Sequence, residues 1–450
     1  SGWSEPSSQW SEEDSAIAAI VLTPEKRWRG QGLWYWMRQH PGMTLLIVSL
    51  SSVALVLGTF VGTQVYVQSQ ANRREFKQQD NQVFLALVSK LTPTATDAPD
   101  QRRGAILALG TVNDSRAVPL LVDLLGQEDN PTLIDAVQQA LVSRGPDALP
   151  YLQRLNQSLK NDLESLRYGN NKKEYKLLAL RQRATQRAIA KLLTIYSGQV
   201  HAADLSRVDL GRVDQGVAQF TLVLDQIDLS GVQLKSAVLS GASLQGSRFY
   251  GSGEDERWGT FDDWVTDLSG AELKDADLTG AFLSNTSMER TNLIRAVLNK
   301  ADFSKARLSR ANLSSAKLVA ANFQNALLEG ASLTGADLGN ADFSQANLQG
   351  ARLGQASATA TKFQLANLVR SEWQGADLTG ADFSQASLQD ADLSSTKLAE
   401  ANFRNAQLQN VSFRNADLSQ TNLRGANVTG ADFQGAIFTP PPAKPANQFI

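Results

Sequence analysis

A five-residue pattern of apolar and polar positions repeats without interruption from residue 266 to residue 438. The centre of each repeat is Leu or Phe, with four exceptions: Met288, Ala358, Trp373 and Val428. Two positions before each centre stands a small residue, which is Ala in most repeats. Helices advance about 100° per residue and strands alternate faces, so neither keeps every fifth side chain inside. The pattern predicts a chain that turns a corner every five residues and coils around its own apolar axis.

A second period gives the number of sides in each coil. Phe recurs at intervals of twenty residues, at Phe303, Phe323, Phe343, Phe363, Phe383 and Phe403, and on another column at Phe413 and Phe433. Four five-residue sides therefore make one coil, in which the Phe rings stack and alanines fill the tight corners. At a spacing of about 4.8 Å, the regular repeats predict roughly nine coils and a rod about 40 Å long. With its interior filled in this way, the rod must bind any partner on its outside.

Segments such as ADLTG, ADFSQ and ANLQG are similar to the A(D/N)LXX motif of pentapeptide-repeat proteins. The resemblance implies a right-handed quadrilateral parallel β-helix over residues 203–438, in which the repeats before residue 250 are degenerate. Residues 250–265 lack the pattern and are expected to form an insertion. The proline-rich tail, residues 439–450, cannot continue the ladder because proline has no N–H to donate.

Residues 72–196 predict a helical domain. RRGAILALG followed by AVPLLVDLL is echoed about 31 residues later by DAVQQALVSRG and ALPYLQRL. This arrangement resembles HEAT-like repeats, in which paired helices stack into a short α-solenoid. A long polar helix over residues 174–196 is expected to bridge these repeats to the rod.

Residues 43–67 form an uncharged apolar stretch, MTLLIVSLSSVALVLGTFVGTQVYV, that is long enough to cross a bilayer. The preceding tail, residues 1–42, carries aromatic residues of the kind that lie at membrane interfaces: Trp28, Trp34, Tyr35 and Trp36. Small residues spaced four apart favour close helix association: Ala54, Gly58 and Gly62. The alternative is a cleaved signal peptide.

The predicted fold class is therefore multidomain and membrane-anchored. It comprises a single transmembrane α-helix, a short HEAT-like α-solenoid and a right-handed quadrilateral parallel β-helix. At 450 residues the chain is long enough for about three domains.

Composition and motifs predict no catalysis. The net charge is −2, there is no Cys, and only two His occur. Disulfides and thiolate chemistry are excluded, and no phosphate-binding loop or metal-ligand spacing is present. We expect no catalytic residue, no metal, no cofactor, no small-molecule substrate and no nucleic acid partner.

Two surfaces are candidates for partner contact. The insertion reads YGSGEDERWGTFDDWV and carries aromatic side chains at Trp258, Phe261 and Trp264. The alternative is that its tryptophans pack back onto the coil. A basic collar occupies one repeat position on successive sides: Arg290, Arg295, Lys300, Lys305 and Arg310. It would meet an acidic protein surface or lipid headgroups, against the alternative of unselected surface charge. Repeat Asp and Asn residues are interpreted as structural.

These features favour a non-catalytic, membrane-anchored scaffold for protein interactions, with the bilayer and membrane or membrane-associated proteins as partners. The resemblance extends to cyanobacterial proteins of similar layout. It implies a single-pass protein of the thylakoid or plasma membrane, acting as an accessory subunit or assembly factor of a photosynthetic or bioenergetic complex. One alternative is a membrane-tethered regulator acting through homo-oligomerisation. Another is a DNA-mimicking topoisomerase modulator, which the balanced charge of the rod disfavours.

Overall fold

The computed structural model describes residues 78–91, 99–166, 171–211 and 221–439, together with Gln68. The chain divides into two compact units, Ser1–Gln79 and Asp80–Ile450. In the first unit, the described residues 68, 78 and 79 are helical. The second unit contains the helical module, up to residue 195, and the rod that follows it.

The helical module is built from helices joined by short turns. Its described elements are α1 (Pro99–Leu109), α2 (Ala117–Gln127), α3 (Pro131–Ser143), a 3₁₀ turn (Pro146–Ala148), α4 (Leu149–Leu166) and α5 (Lys172–Ile195). Residues 80–89 are also helical. The α1–α2 and α3–α4 pairs coincide with the two helical units predicted from the sequence, and α3 packs against α1, α2 and α5. Their HEAT-like character stays a prediction.

The last helix, α5, differs from the polar bridge predicted for residues 174–196. It packs against α3 and α4 and buries an apolar face that includes Ala188, Ile189 and Leu192. Its Lys and Arg residues lie mainly on the outer face, so α5 is an amphipathic helix. The high content of charged residues had suggested a helix that is polar on all sides.

The single-pass membrane localisation is contradicted. In the part of the chain that the structure describes, no helix combines the length and the apolar character needed to cross a bilayer. The longest helix described, α5, has 24 residues but begins Lys-Lys-Glu, and its charged residues make it unsuitable for crossing a bilayer. Residues 43–67, on which the expectation was based, lie outside the described residues.

The rod is a stack of four-sided coils held by parallel bridges between residues twenty apart, as in Asp302 with Asn322. We name the sides by their first bridge residue after the insertion: A from Asp267, B from Glu272, C from Asp277 and D from Phe282. Before this point Gln233 bridges to Asp267 across 34 positions, so residues 250–265 are inserted at the corner between sides D and A.

Each corner is a tight turn. The amide of the small residue donates to the carbonyl of the preceding centre, as from Ala271 to Leu268 at 2.9 Å. The second turn residue has a positive φ, for example 59° at Arg310, as a type II turn requires. No Val, Ile or Thr stands at this position in the regular repeats, since β-branched side chains tolerate it least.

An Asp or Asn at the position before a centre has a structural role beyond charge. Its side chain accepts from the first turn amide, as in Ser304 to Asp302 at 3.0 Å and Ser314 to Asn312 at 3.1 Å. It also bonds along the rod, as from Asn322 to Asp302 at 2.9 Å. These bonds explain why Asp and Asn alternate freely here, because both present an acceptor oxygen.

The interior follows the predicted columns. Successive Phe rings on side D stack with centroids 4.5 to 5.2 Å apart, from Phe303 to Phe403. Phe413 stacks on Phe433 at 5.1 Å. Trp373 is fully buried beside this column, so its departure from the Leu or Phe pattern belongs to the core.

The helical module caps the N-terminal edge of the rod. In a regular coil, the residue before each centre bonds through both its N–H and C=O to the coil before it, as Asp302 does with Ala281 and Leu283. The first coil has no predecessor. There the buried Asn156 side chain accepts from the Asp209 amide at 2.7 Å and donates to the Asp209 carbonyl at 2.8 Å.

Other groups complete the cap on neighbouring sides. Gln153 donates to the Ser206 carbonyl at 2.8 Å. On side D, Ser197 Oγ accepts from the Asp228 amide at 2.7 Å, and the Gly198 amide donates to the Asp228 carbonyl at 3.2 Å. Side chains and chain ends of the module thereby replace a missing coil, and they protect an edge that would otherwise be open to pairing.

Candidate functional site

The insertion at residues 250–265 is a hairpin that leaves the rod without disturbing it. Strands β1 (Tyr250–Gly251) and β2 (Trp264–Val265) pair antiparallel. At the base, the Thr266 amide donates to the Phe249 carbonyl at 3.1 Å. The coil is therefore closed across the insertion, which projects from the corner between sides D and A.

A hydrogen-bond network orders the interior of the hairpin. The Tyr250 hydroxyl bonds to Asp263, which also accepts from the Gly259 amide at 2.8 Å. Burial, followed by the bond to Asp263, raises the pKa of Tyr250 to about 12. Gly253 has a φ of 69°, and a Cβ there would lie 2.4 Å from the Asp262 carbonyl oxygen. The hairpin is thus held in one shape by its own contacts.

A second set of contacts fixes the base of the hairpin to the first coil. The Trp264 ring stacks on His201 with centroids 3.4 Å apart. His201 Nδ1 lies 2.7 Å from the Ser230 carbonyl, so this nitrogen carries the proton. Gly231 passes so close that a Cβ would lie 2.7 Å from the His201 carbonyl oxygen. Trp264 therefore fixes the hairpin to the first coil, in agreement with the alternative in which the tryptophans of the insertion pack back onto the coil.

The other two predicted aromatic residues face outward. Phe261 is 104% exposed and Trp258 is 60% exposed, although the Trp258 ring also contacts Tyr250, with centroids 5.4 Å apart. Glu254, Asp255 and Glu256 precede them in the hairpin and are exposed, as is Arg257. We call these three carboxylates beside the apolar tip the acidic rim.

The basic collar does not form one patch. Its five residues occupy second turn positions with φ between 56° and 59°, and a turn of the coil takes twenty residues. Arg290 and Arg310 share the corner between sides A and B, while Lys300 lies on the corner between C and D. Arg295 is bound to Asp275 through two bonds of 2.7 Å.

Part of the collar lies beside the hairpin. Lys305 is on the corner from which the hairpin projects, two coils away, a distance of about 10 Å along the rod. Arg307 is on the adjoining side A and is paired with Glu289 at 2.5 Å. Lys305, Arg290 and Arg310 have no ion-pair partner among the described residues. The base of the hairpin and these cations therefore lie on the two corners that border side A.

The remaining predicted site residues cannot be placed. The expected membrane-interface set and helix-association set lie outside the described residues: Trp28, Trp34, Tyr35, Trp36, Ala54, Gly58 and Gly62. Over the described ranges, no group of three or more His, Asp or Glu side chains is arranged to hold a metal ion.

Two family models match the rod. One describes a pentapeptide repeat region and matches residues 331–403 and 366–437. The other describes pentapeptide repeats in eight copies and matches residues 223–252, 271–310 and 306–345. Together they match residues 223–252 and 271–437, so this part of the rod consists of pentapeptide repeats. Pentapeptide repeats form a fold of the protein-interaction type, and their families are generally non-catalytic.

Several solved structures are similar to the rod. HetL, involved in heterocyst differentiation regulation in the cyanobacterium Nostoc sp. strain PCC 7120, is 26% identical over 53% of this chain and 90% of its own, with a TM-score of 0.18. QnrB1, a plasmid-mediated fluoroquinolone resistance protein, is 19% identical over 48% and 91%, with a TM-score of 0.21.

A pentapeptide-repeat protein from the Arabidopsis thaliana thylakoid lumen is 34% identical over 22% of this chain and 66% of its own, with a TM-score of 0.13. No curated protein matches the sequence. At these TM-scores the structural likeness carries no information about partners.

Proposed function

We propose that this protein is a non-catalytic interaction scaffold, acting as an accessory subunit or assembly factor of a larger protein complex. Its recognition element is the hairpin tip formed by Trp258 and Phe261. The observation that supports this most is the full exposure of Phe261 on a hairpin whose other residues hold it in place.

Exposed aromatic side chains on a rigid support bind partners well. Burying a Phe removes a large apolar surface from water, and the ordered hairpin has little conformational entropy to lose on binding. Aromatic anchors of this kind dominate the energetics of many interfaces.

The charges around the tip indicate the partner. Glu254, Asp255 and Glu256 favour a protein surface with an apolar pocket bordered by basic residues, and Lys305 favours an acidic group further along the rod. Such complementarity sets orientation and association rate more than affinity. A protein partner fits this mixed surface better than a nucleic acid, which would be repelled by the acidic rim.

The experiment compares partners captured by the full chain and by two variants, with quantitative mass spectrometry. Combined Trp258→Ala and Phe261→Ala changes are expected to abolish capture of the main partner without altering thermal stability. The control is Phe282→Ala, which removes a half-exposed aromatic from side D and is expected to keep the partner. Equal capture by all three proteins would contradict the proposal.

A further inference from the structure

Side A of the rod carries no charged side chain over its last five coils. Its outward positions there hold amide, hydroxyl and one apolar side chain: Asn347, Gln349, Asn367, Val369, Ser387, Gln389, Gln407, Gln409, Asn427 and Thr429. Over the same coils each other side is charged. Side B carries Arg352, Glu372, Asp392, Arg414 and Asp432; side C carries Asp377, Lys397 and Asp417; side D carries Asp342, Lys362, Asp382, Arg404 and Arg424. We call the uncharged surface the amide strip.

Side chains of the amide strip bond to each other, both along the rod and within one coil. Asn367 donates to Asn347 at 2.9 Å, and Gln409 donates to Gln407 at 3.0 Å. In four of its five coils, the residue at the bridge position is half-buried. Amides both donate and accept, so two such strips complement each other in either direction.

Side A alone lacks charged residues, and this indicates that another surface covers it. Charged residues are depleted at the centre of protein interfaces, because removing a charge from water is costly. A rod surrounded by water would gain solubility from charges on every side. The strip therefore has the composition of a contact surface.

The border of the strip identifies what covers it. Arg370 and Asp390 are exposed on the corner between sides A and B, one coil apart. Arg370 has no ion-pair partner within the described ranges, and Asp390 accepts only from Asn410, at 3.1 Å. A twofold axis that passes between these two coils, across the rod, reverses the direction of a second copy. It brings Arg370 opposite the partner's Asp390, and it repeats that contact by symmetry.

The same axis pairs four of the five coils of the strip with each other. The coil of Asn347 comes opposite the coil of Gln407, and the coil of Asn367 comes opposite that of Ser387. An arrangement in which each contact occurs twice is the signature of an isologous interface.

We propose that two copies of this chain associate antiparallel through their amide strips. The four paired coils at about 4.8 Å span roughly 19 Å, so the contact is smaller than the approximately 800 Å² per partner of a standard stable interface. The dimer is accordingly weak and reversible. Its geometry places the two hairpins at opposite ends, where both stay accessible.

Charge reversal tests the pairing. Sedimentation velocity of the full chain over a concentration series measures the dissociation constant. Arg370→Asp opposes two carboxylates, and Asp390→Arg opposes two guanidinium groups, so each is expected to raise the constant at least about tenfold, or roughly 1.4 kcal/mol. The variant with both changes restores opposite charges and is expected to return the constant to its original range.

The two positions are chosen so that the substitutions leave the fold intact. Residues 370 and 390 have φ of 57° and 58°, and the rod already carries Arg310 and Asp275 at a φ of 59°. Glu400→Arg reverses a charge at the same kind of turn position, with a φ of 61°, on the opposite corner, and is expected to leave dimerisation unchanged. A monomer at every concentration, a dimer unaffected by either single reversal, or failure of the double variant to restore it would overturn the proposal.

Discussion

The indole nitrogen of Trp373 donates to the Ser371 hydroxyl at 2.7 Å in the closed interior of the rod. That hydroxyl donates in turn to the Leu368 carbonyl at 2.7 Å. Position 371 is one of the small positions that are usually Ala. A buried indole N–H needs an acceptor, so the Ser at this position accompanies the Trp. The ring packs edge-on against Phe363, with centroids 5.2 Å apart and an angle of 89°.

Ser371→Ala is expected to lower the free energy of unfolding by about 1 to 3 kcal/mol, because the indole N–H is left without a partner. Chemical denaturation measures the change. In a Trp373→Phe background, which has no N–H to satisfy, the same Ser371→Ala change is expected to cost much less. An equal cost in both backgrounds would show that the hydrogen bond is not its source.

Asn156→Leu tests the cap on the rod. The change leaves the Asp209 amide without a partner, while the Asp209 carbonyl keeps a bond from Gln186 at 3.1 Å, so we expect a loss of about 1 to 3 kcal/mol. Hydrogen exchange at the Asp209 amide is expected to accelerate. Asn161→Leu, on an exposed part of the same helix, is the matched control, and comparable losses in the two variants would argue against the capping role.

Acid is expected to weaken the rod through its turn carboxylates. The Ser419 hydroxyl, and then the Ser419 amide, hold the pKa of Asp417 below its ordinary value. A lowered folded pKa means that this stabilisation is present above the unfolded value near 4 and is lost as pH falls through the folded pKa.

Asp417→Asn keeps the acceptor oxygen but does not titrate. The difference in unfolding free energy between wild type and this variant is therefore expected to shrink between about pH 5 and pH 2. Ser419→Ala removes the main cause of the shift, so it is expected to reduce the pH dependence of the protein that retains Asp417. A difference that stays constant over this range would refute the assignment.

Leu365→Gly is expected to stabilise the rod even though it removes a large side chain. Leu365 has a φ of 59° and is 53% exposed. Left-handed backbone costs a non-glycine residue about 1 to 2 kcal/mol, while Gly adds about 0.5 to 1 kcal/mol of entropy cost. The two ranges leave a gain of about 0 to 1.5 kcal/mol, which should appear in the unfolding curve. Gly350→Leu, at a φ of 64° with open space around it, should show the opposite sign.

The regular part of the rod was predictable from sequence because each coil repeats the packing of the last. The Phe column from Phe303 to Phe403 shows this directly, since each interval of twenty residues in the sequence corresponds to one coil along the rod. The collar was predicted to lie on successive sides, and Arg290 and Lys300 do lie on different corners. Its contact with a partner stays a prediction.

Other features could not be predicted because they join distant parts of the chain. Nothing near Asn156 or His201 in the sequence indicates that they contact Asp209 and Trp264. The one available signal was an Asn or Gln on the apolar face of a helix, as at Asn156 and Gln186, which implies a buried polar partner. The single-pass membrane localisation was wrong by the finding that no helix in the described part of the chain is long and apolar enough to cross a bilayer.

The N-terminal position of the cap has a consequence for synthesis. The ribosome completes the helical module before the first coil, and every later coil pairs with one that has already emerged. The growing chain therefore always has a single unpaired edge, which is its most recently synthesised coil. Each coil can form its bridges at once, because the coil that it pairs with has already been synthesised. Nascent chains halted after any whole coil are expected to resist protease up to that coil, whereas chains lacking α4 should be cleaved throughout.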